Sequence, residues 1–326
     1  MWSRRSGWGS PFKTEVNLKR LASIDIGTNT ALLLIAEVTD ELAIHPLVQK
    51  ERIVRLGERV DERRLLKPEA VARTLTAVGD YMKMIDAAQA EAVVISGTSA
   101  VRDAHNRDEL IRQIKQQFGV DLQVLSGEEE ARLTFFGAIS NKQHFQGDIL
   151  LIDIGGGSTE FILGTRAAIK KAVSLDIGSV RLTERFVRRD PISDDEYQQI
   201  RELIDRETGS LVQDFAPPAK HFIGVAGTIT TVAAIKLQLE PYDPEVIDSS
   251  ILTLEEVSEI VNDLKLKTLA EKKRLRGLNP DRADVILAGS VILQEVMNKF
   301  GFAQIHVSDR GLRFGLLQKY VKEQVL

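Results

Sequence analysis

The sequence predicts an α/β protein made of two halves of similar topology. Three observations carry this. Short β-branched runs alternate with stretches of helical spacing from about residue 20 onward. The same acidic turn occurs twice, in ASIDIGTNTALLLI (22–35) and in LLIDIGGGSTEFIL (150–163). A chain of 326 residues is also long enough for two domains of ordinary size.

Taken in order, LASIDI and ALLLIAEV are paired strands around a polar turn. Apolar positions at Ala70, Leu75, Val78, Met82 and Ile85 predict a helix over 69–88. EAVVISGTSA is a strand that runs into small residues. RDELIRQIKQQFG is an amphipathic helix ended by Gly119. VDLQVLSG is a strand, and a helix begins at Ser126. GDILLIDIG opens a second series, followed by TEFILG, AAIKKAVSLDIG, a helical stretch at 193–214, HFIGVAGTITTVAAI and a helical stretch at 254–270. A third Asp-Ile-Gly, Asp176–Gly178, precedes helical spacing, so it reads as strand end and helix start with Ser179 as cap. APPAK (216–220) reads as a loop within the second half.

Composition narrows the function. Hydrophobic content of 43% and charged content of 28% are those of a soluble globular chain. A net charge of −4 gives no reason to expect nucleic-acid binding. No cysteine is present, so disulfides and thiolate metal sites are excluded, which suits a cytoplasmic protein. No apolar run approaches the ~18 residues of a membrane span. The N-terminal residues 1–18 read as an extension and not as a secretory signal, because no apolar segment follows their basic residues.

Each repeated Asp-Ile-Gly lies between two strands, so each turn is a hairpin loop and not a helix start. Gly27 and Gly155-Gly156-Gly157 leave backbone N–H groups exposed, and several converging N–H groups make an anion nest. Thr28, Asn29, Thr30, Ser158 and Thr159 complete the two phosphate-binding candidates. Asp25 and Asp153, at the turn entries, can hold a divalent cation through water. Other glycine motifs fail: there is no G-x-G-x-x-G, no Walker A loop and no G-x-S-x-G. No His-Asp dipeptide exists, which argues against an appended HD-type phosphohydrolase module.

Three further stretches carry candidate chemistry. In SGEEEARLTFFG (126–137), Ser126 and Glu129 fit a capping box, and Glu128 can pair with Arg132. Glu130 has no such structural need and shares a face with Leu133, Thr134 and Gly137, so it is a candidate base for activating water. The competing role is a solvated or capping carboxylate. Arg102 in SGTSAVRDAHN could grip phosphate oxygens, or pair on the surface with Asp103 or Asp108, which its spacing favours. Gly227-Thr228 opens a helix whose N–H groups could hold another phosphate; close helix–strand packing explains it equally well.

The turns DIGTNT and DIGGGST resemble the two phosphate loops of the actin-like ATPase superfamily. Together with SGTSAVRDAHN, LSGEEEARL, GSVRLTERF, GVAGTITTVAAI and NPDRADVILAG, they resemble the exopolyphosphatase/guanosine-pentaphosphate phosphohydrolase (Ppx/GppA) family from about residue 21 to the end. The resemblance implies two ribonuclease-H-like domains around an interdomain cleft, in the short two-domain form. We place them at 19–138, with the C-terminal helix 312–326 as a candidate to complete this unit, and at 139–311. It implies phosphoanhydride hydrolysis with a divalent metal, Mg²⁺ before Mn²⁺ or Ca²⁺. It assigns Glu130 as catalytic glutamate, Arg102 to the scissile phosphate, and Asp153 and Glu160 to metal and water positioning; Asp25 joins them as a metal candidate from its place at the first turn. Many members continue the RLGE run (55–58) with Gly where this chain has Arg59.

The expected substrate is inorganic polyphosphate, with guanosine pentaphosphate as the rival. Arg52, Arg55, Arg59, Arg63 and Arg64 offer cations to a repeating anion, unless they pair with Glu51, Glu58, Asp61 and Glu62. A superfamily kinase and a non-catalytic nucleotide-binding protein are more distant readings, and a homodimer is compatible with all of them.

Overall fold

The computed structural model describes residues 18–215 and 219–325. The N-terminal extension and most of the APPAK segment therefore lie outside the described residues. The first series of elements is β1 (Leu18–Ile26), β2 (Thr30–Thr39), β3 (Ile44–Ile53), α1 (Val60–Arg63), α2 (Pro68–Ala87), β4 (Ala92–Gly97), α3 (Ser99–Asp103), α4 (Arg107–Phe118), β5 (Leu122–Val124) and α5 (Gly127–Ala138). The second is β6 (Ile149–Ile154), β7 (Thr159–Gly164), β8 (Ile169–Leu175), α6 (Ser179–Phe186), α7 (Asp194–Thr208), α8 (Leu211–Phe215), β9 (His221–Val225) and α9 (Ala226–Leu237). It continues with α10 (Pro244–Asp248), β10 (Ile251–Thr253), α11 (Leu254–Leu266), α12 (Leu269–Lys272), α13 (Ile286–Phe300), β11 (Gln304–Val307) and α14 (Leu312–Val325).

The strands form two sheets, ordered β3-β2-β1-β4-β5 and β10-β11-β9-β6-β7-β8. In each, a three-stranded antiparallel meander begins with the strand that carries the repeated Asp. That strand then pairs in parallel, β1 with β4 and β6 with β9. The second sheet thus repeats the first and adds the antiparallel edge strand β10. Parallel strands buried on both faces should be apolar throughout, and β6 reads ILLIDI with only its Asp incompletely buried.

Core packing follows the amphipathic pattern. Val78 and Tyr81 of α2 and Leu110 and Ile114 of α4 cover one face of the first sheet against Ile24 and Ile26. Its other face takes Phe314, Leu317 and Val321 of α14. Ala131, Phe135 and Ala138 of α5 pack instead on Ile149, Leu151 and Ile223 of the second sheet. Leu133 of the same helix meets Leu312 and Leu316 of α14. The paired helices α5 and α14 therefore connect the two sheets.

Local chemistry explains the helix starts. Gly119 ends α4 at φ 72, as a C-terminal glycine should. Ser126 caps α5 by accepting from Glu129 N at 3.2 Å. The reciprocal half of the expected capping box is not made, because the Glu129 carboxylate pairs with Lys319 on α14. Ser179 is not the cap of α6 either. Gly178 holds that position, and the Ser179 hydroxyl donates to Gly155 O.

The chain passes between the sheets twice, at 139–148 and at 308–311, and both passages meet at Asp248. Its carboxylate accepts from Asn141 Nδ2 (2.7 Å), Lys142 Nζ (3.2 Å), Ser308 Oγ (2.9 Å) and Asp309 N (3.0 Å). Ser308 Oγ also bonds Ala138 O, which ties one passage to the other.

Candidate active site

The two repeated turns face each other. The first is closed by Gly27 N donating to Thr30 O at 2.9 Å, and the second by Gly155 N donating to Ser158 O at 3.0 Å. Thr28 bonds Ser99 across 2.8 Å. A Cβ on Gly157 would lie 3.1 Å from Thr28 Oγ1 and 3.3 Å from Ser99 Oγ, so the walls are in contact. The space left between them, lined by Thr28, Ser99, Gly156 and Gly157, is only about 20 Å³. The two turns thus approach each other closely in this conformation.

Each turn is backed by a second segment that occupies its carbonyls. Asn29 O accepts from Val54 N and Arg55 N, and Thr28 O accepts from Gly57 N. Gly57 is required by close approach, since a Cβ there would sit 2.3 Å from Thr28 Cγ2. Arg59, the departure from the family pattern, adopts φ 57, the left-handed region that favours glycine. In the second turn, Gly155 O and Gly156 O accept from Ser179, Val180 and Arg181 N–H groups at the start of α6, and Gly157 O accepts from Arg181 Nε at 2.7 Å. With the carbonyls held outward, the N–H groups of Gly156, Gly157 and Ser158 have no protein acceptor among the described residues. That is the arrangement an anion nest needs.

Four buried carboxylates near the turns influence one another electrostatically. Asp25 and Asp153 end β1 and β6, and Glu160 stands opposite Asp153 across the β6–β7 ladder. Burial raises the Asp25 pKa to about 7, against a partial offset from Arg313 and the facing Ser96. Burial, then the charges of Glu160, Glu130 and Asp25, push Asp153 well up. Burial also raises Glu160, although Ser174 Oγ donates to it at 2.7 Å. Glu130 on α5 rises to about 8, first through burial and then through the Glu160 charge, with Arg102 opposing.

Arg102 does not make the expected surface pair with Asp103 or Asp108. Its Nη1 donates to Glu130 Oε2 at 2.7 Å and to Leu125 O at 3.1 Å, while Asp103 pairs with Arg64. The candidate base and the candidate phosphate-binding arginine are thus brought together. Glu128 makes no ion pair with Arg132 among the described residues.

The donor set suits a hard cation. All candidate ligands are carboxylate oxygens, and Asp25 Oδ1 is buried with no hydrogen-bond partner. Among the described residues, no three acidic or histidine side chains lie close enough together to hold a metal directly. In this conformation Asp25, Asp153 and Glu160 offer only oxygen donors and do not form a direct three-ligand site.

Gly227 and Thr228 occupy the start of α9, but there the N-terminus meets Arg282. A Cβ on Gly227 would lie 1.9 Å from Arg282 Nη1, and one on Gly289 would lie 2.6 Å from Thr228. In this conformation the segment is packed closely against the Arg282 guanidinium. Arg282 was not singled out from the sequence. It binds Glu51 at 3.1 and 2.8 Å and Thr30 Oγ1 at 3.4 Å.

Of the arginines at 52–64, three pair through their guanidinium groups with acids other than Glu51 and Glu58, while the side chains of Asp61 and Glu62, two of the expected partners, lie outside the described residues. Arg52 pairs with Asp80 and Arg64 with Asp103. Arg55 reaches across the cleft to Asp284 at 2.9 and 3.2 Å and to Asp281 O at 3.0 Å. Arg59 N–H donates to Glu184. Of the acids, Glu58 pairs with Lys67 and Arg73.

Two related sheets, each carrying an Asp-Ile-Gly hairpin that faces the other, define the actin-like ATPase fold class. Within it the chain belongs to the Ppx/GppA phosphatase family, whose sequence model matches residues 34–324. It is 36% identical over 312 residues to Exopolyphosphatase 2 of Mycobacterium tuberculosis, covering 92% of this chain and 98% of that one. It is 37% identical over 313 residues to a bifunctional 3-dehydroquinate synthase/phosphatase of Fusobacterium nucleatum; the match covers 93% of this chain but only 47% of that longer protein. The crystal structure of the Aquifex aeolicus Ppx/GppA family member aligns with a TM-score of 0.79 at 32% identity, over 94% of this chain and 99% of that one. No helix among the described residues is long and apolar enough to cross a membrane.

Proposed function

We propose that the protein is a metal-dependent exopolyphosphatase that releases terminal orthophosphate from inorganic polyphosphate. The observation that carries this is Glu130, a buried carboxylate with its pKa raised to about 8, held by Arg102 beside two facing anion nests. A pKa near the working pH is what a general base needs. The similarity to a protein named Exopolyphosphatase 2 supports the choice of substrate.

The chain's residues divide the work. The N–H groups of both turns bind the terminal phosphoryl oxygens, and Thr28, Ser99 and Ser158 add hydroxyls. Arg102 moves from Glu130 to the phosphate and leaves the carboxylate free to accept a proton from water. The water oxygen bonds to the terminal phosphorus, the anhydride P–O bond breaks, and the shortened chain leaves with the bridging oxygen. Turn N–H groups and Arg102 stabilise the charge on the transferring oxygens. A divalent cation held by Asp25, Asp153 and Glu160 would neutralise phosphate charge and polarise the bridging oxygen. Because the two turns approach each other closely, this clamp must open to admit the chain and close on it.

The test is phosphate release from long polyphosphate and from guanosine pentaphosphate, each with Mg²⁺ and with excess EDTA after metal stripping. The expected result is faster metal-dependent release from polyphosphate. Higher kcat/KM on guanosine pentaphosphate would reverse the substrate, full activity in EDTA would remove the metal, and no release from either would leave a binding protein.

A further inference from the structure

A hollow of about 580 Å³ lies beside the second phosphate turn, on the outer side of α6. It shares Arg181 and Glu184 with the small space between the turns, so the two are adjacent. Its volume is that of a ligand site. Arg181, Arg185 and Arg188 line it at i, i+4 and i+7, along one face of the helix and its C-terminal continuation. Seven residues of helical rise span about 10 Å.

Three acids, Asp176, Glu184 and Glu207, also line the hollow. Asp176 is largely exposed and meets Arg181 at 3.4 Å, a pair that solvent weakens. Glu184 accepts from the Arg59 N–H across the cleft. Glu207 is paired with Arg206. Arg185 and Arg188 have no carboxylate partner for their guanidinium groups among the described residues. Arg185 lies over the Phe186 ring, and Arg188 donates to the carbonyls of Glu184 and Arg185. Arg181 is anchored to the turn itself through Gly157 O.

We propose that this hollow is a distal subsite for the polyphosphate chain, in which Arg185 and Arg188 bind phosphates several repeats behind the scissile one. The proposal rests on the exopolyphosphatase reading and makes α6 the source of a preference for long chains. A short chain fills the clamp and ends before Arg185, whereas a long chain must leave the clamp and finds Arg185 and Arg188 beside it.

The experiment compares tripolyphosphate with long polyphosphate in the full-length protein, using Arg185→Gln, Arg188→Gln and the double variant. Arg188→Lys and the melting temperature control for loss of the carbonyl contacts at the end of α6. For long polyphosphate, KM should rise about tenfold in the double variant, with kcat held and a weaker dependence on salt as cation–phosphate contacts are lost. For tripolyphosphate, KM should change less than twofold. Equal changes on both chains, or none on either, would overturn the subsite. Calorimetric binding of both chains to Glu130→Gln, with and without the arginine changes, separates this from the hydrolase reading. A length-selective loss of affinity there would support the subsite even if no phosphate were released, and its absence would reject the subsite even in an active hydrolase.

Discussion

The raised pKa of Glu130 makes pH a direct probe of the site. Burial and the neighbouring Glu160 charge disfavour its ionised form, and Arg102 favours it. A group with a raised pKa is protonated below that value, so the base is in its active form only as pH climbs through about 8. The rate at saturating polyphosphate should therefore rise from pH 6 to 8 and level off above. Glu160→Gln removes one of the raising charges and should move that limb down, whereas Arg102→Gln removes the opposing charge and should move it up. A pH–rate profile of each variant checks this, and limbs that coincide with the wild type would show that Glu130 does not control the rate. The Glu130–Arg102 pair was only half legible in the sequence. Helical spacing isolated Glu130 as the glutamate without a structural duty, but local spacing pointed Arg102 at Asp103 and Asp108. The true partner is 28 residues away, and nothing in the local sequence reports such a contact.

At the scale of elements, the hairpins were legible because two signals coincide in each. Apolar runs flank a turn of Asp, Gly and hydroxyl residues, and the same order recurs. What the sequence hid is how the turns are braced. The third Asp-Ile-Gly illustrates it: it reads as strand end and helix start, which it is, yet its glycine also seats α6 on the second repeated turn. A Cβ on Gly178 would lie 2.4 Å from Gly156 O and 2.6 Å from Gly157 C, against backbone that cannot turn aside. Gly178→Ala should cost ~1–3 kcal/mol of stability, as overpacking does, and should weaken phosphate binding by displacing the turn. Denaturant unfolding with phosphate titration measures both, and an alanine variant with unchanged stability and affinity would mean that this contact is loose. The N-cap at Ser126 was legible too. Its missing half was not, because Lys319, which draws Glu129 away, arrives from α14 at the far end of the chain.

For the whole molecule, the sequence supplied two walls and the structure supplies what holds them together. Glu51–Arg282 and Arg55–Asp284 bridge the two halves on one side, while Asp248 ties both chain passages on another. These contacts join residues 60 to 231 positions apart, which no periodicity reveals. Breaking the bridges with Glu51→Gln and Asp284→Asn should shift the ligand-free protein toward an open clamp. Small-angle scattering should then give a larger radius of gyration than the wild type, and superimposable profiles would show that the bridges do not hold it shut. The central claim remains the base, and one comparison within a single helical turn tests it. Glu130→Gln keeps size and helix propensity but cannot accept the proton, so kcat for phosphate release should fall by ~10²–10⁴, with polyphosphate affinity kept or improved. Glu129→Gln loses only a partly exposed pair with Lys319, ~0–1 kcal/mol of stability, and should turn over normally. Measured side by side, near-normal kcat in Glu130→Gln, or a collapse in Glu129→Gln instead, would contradict the account.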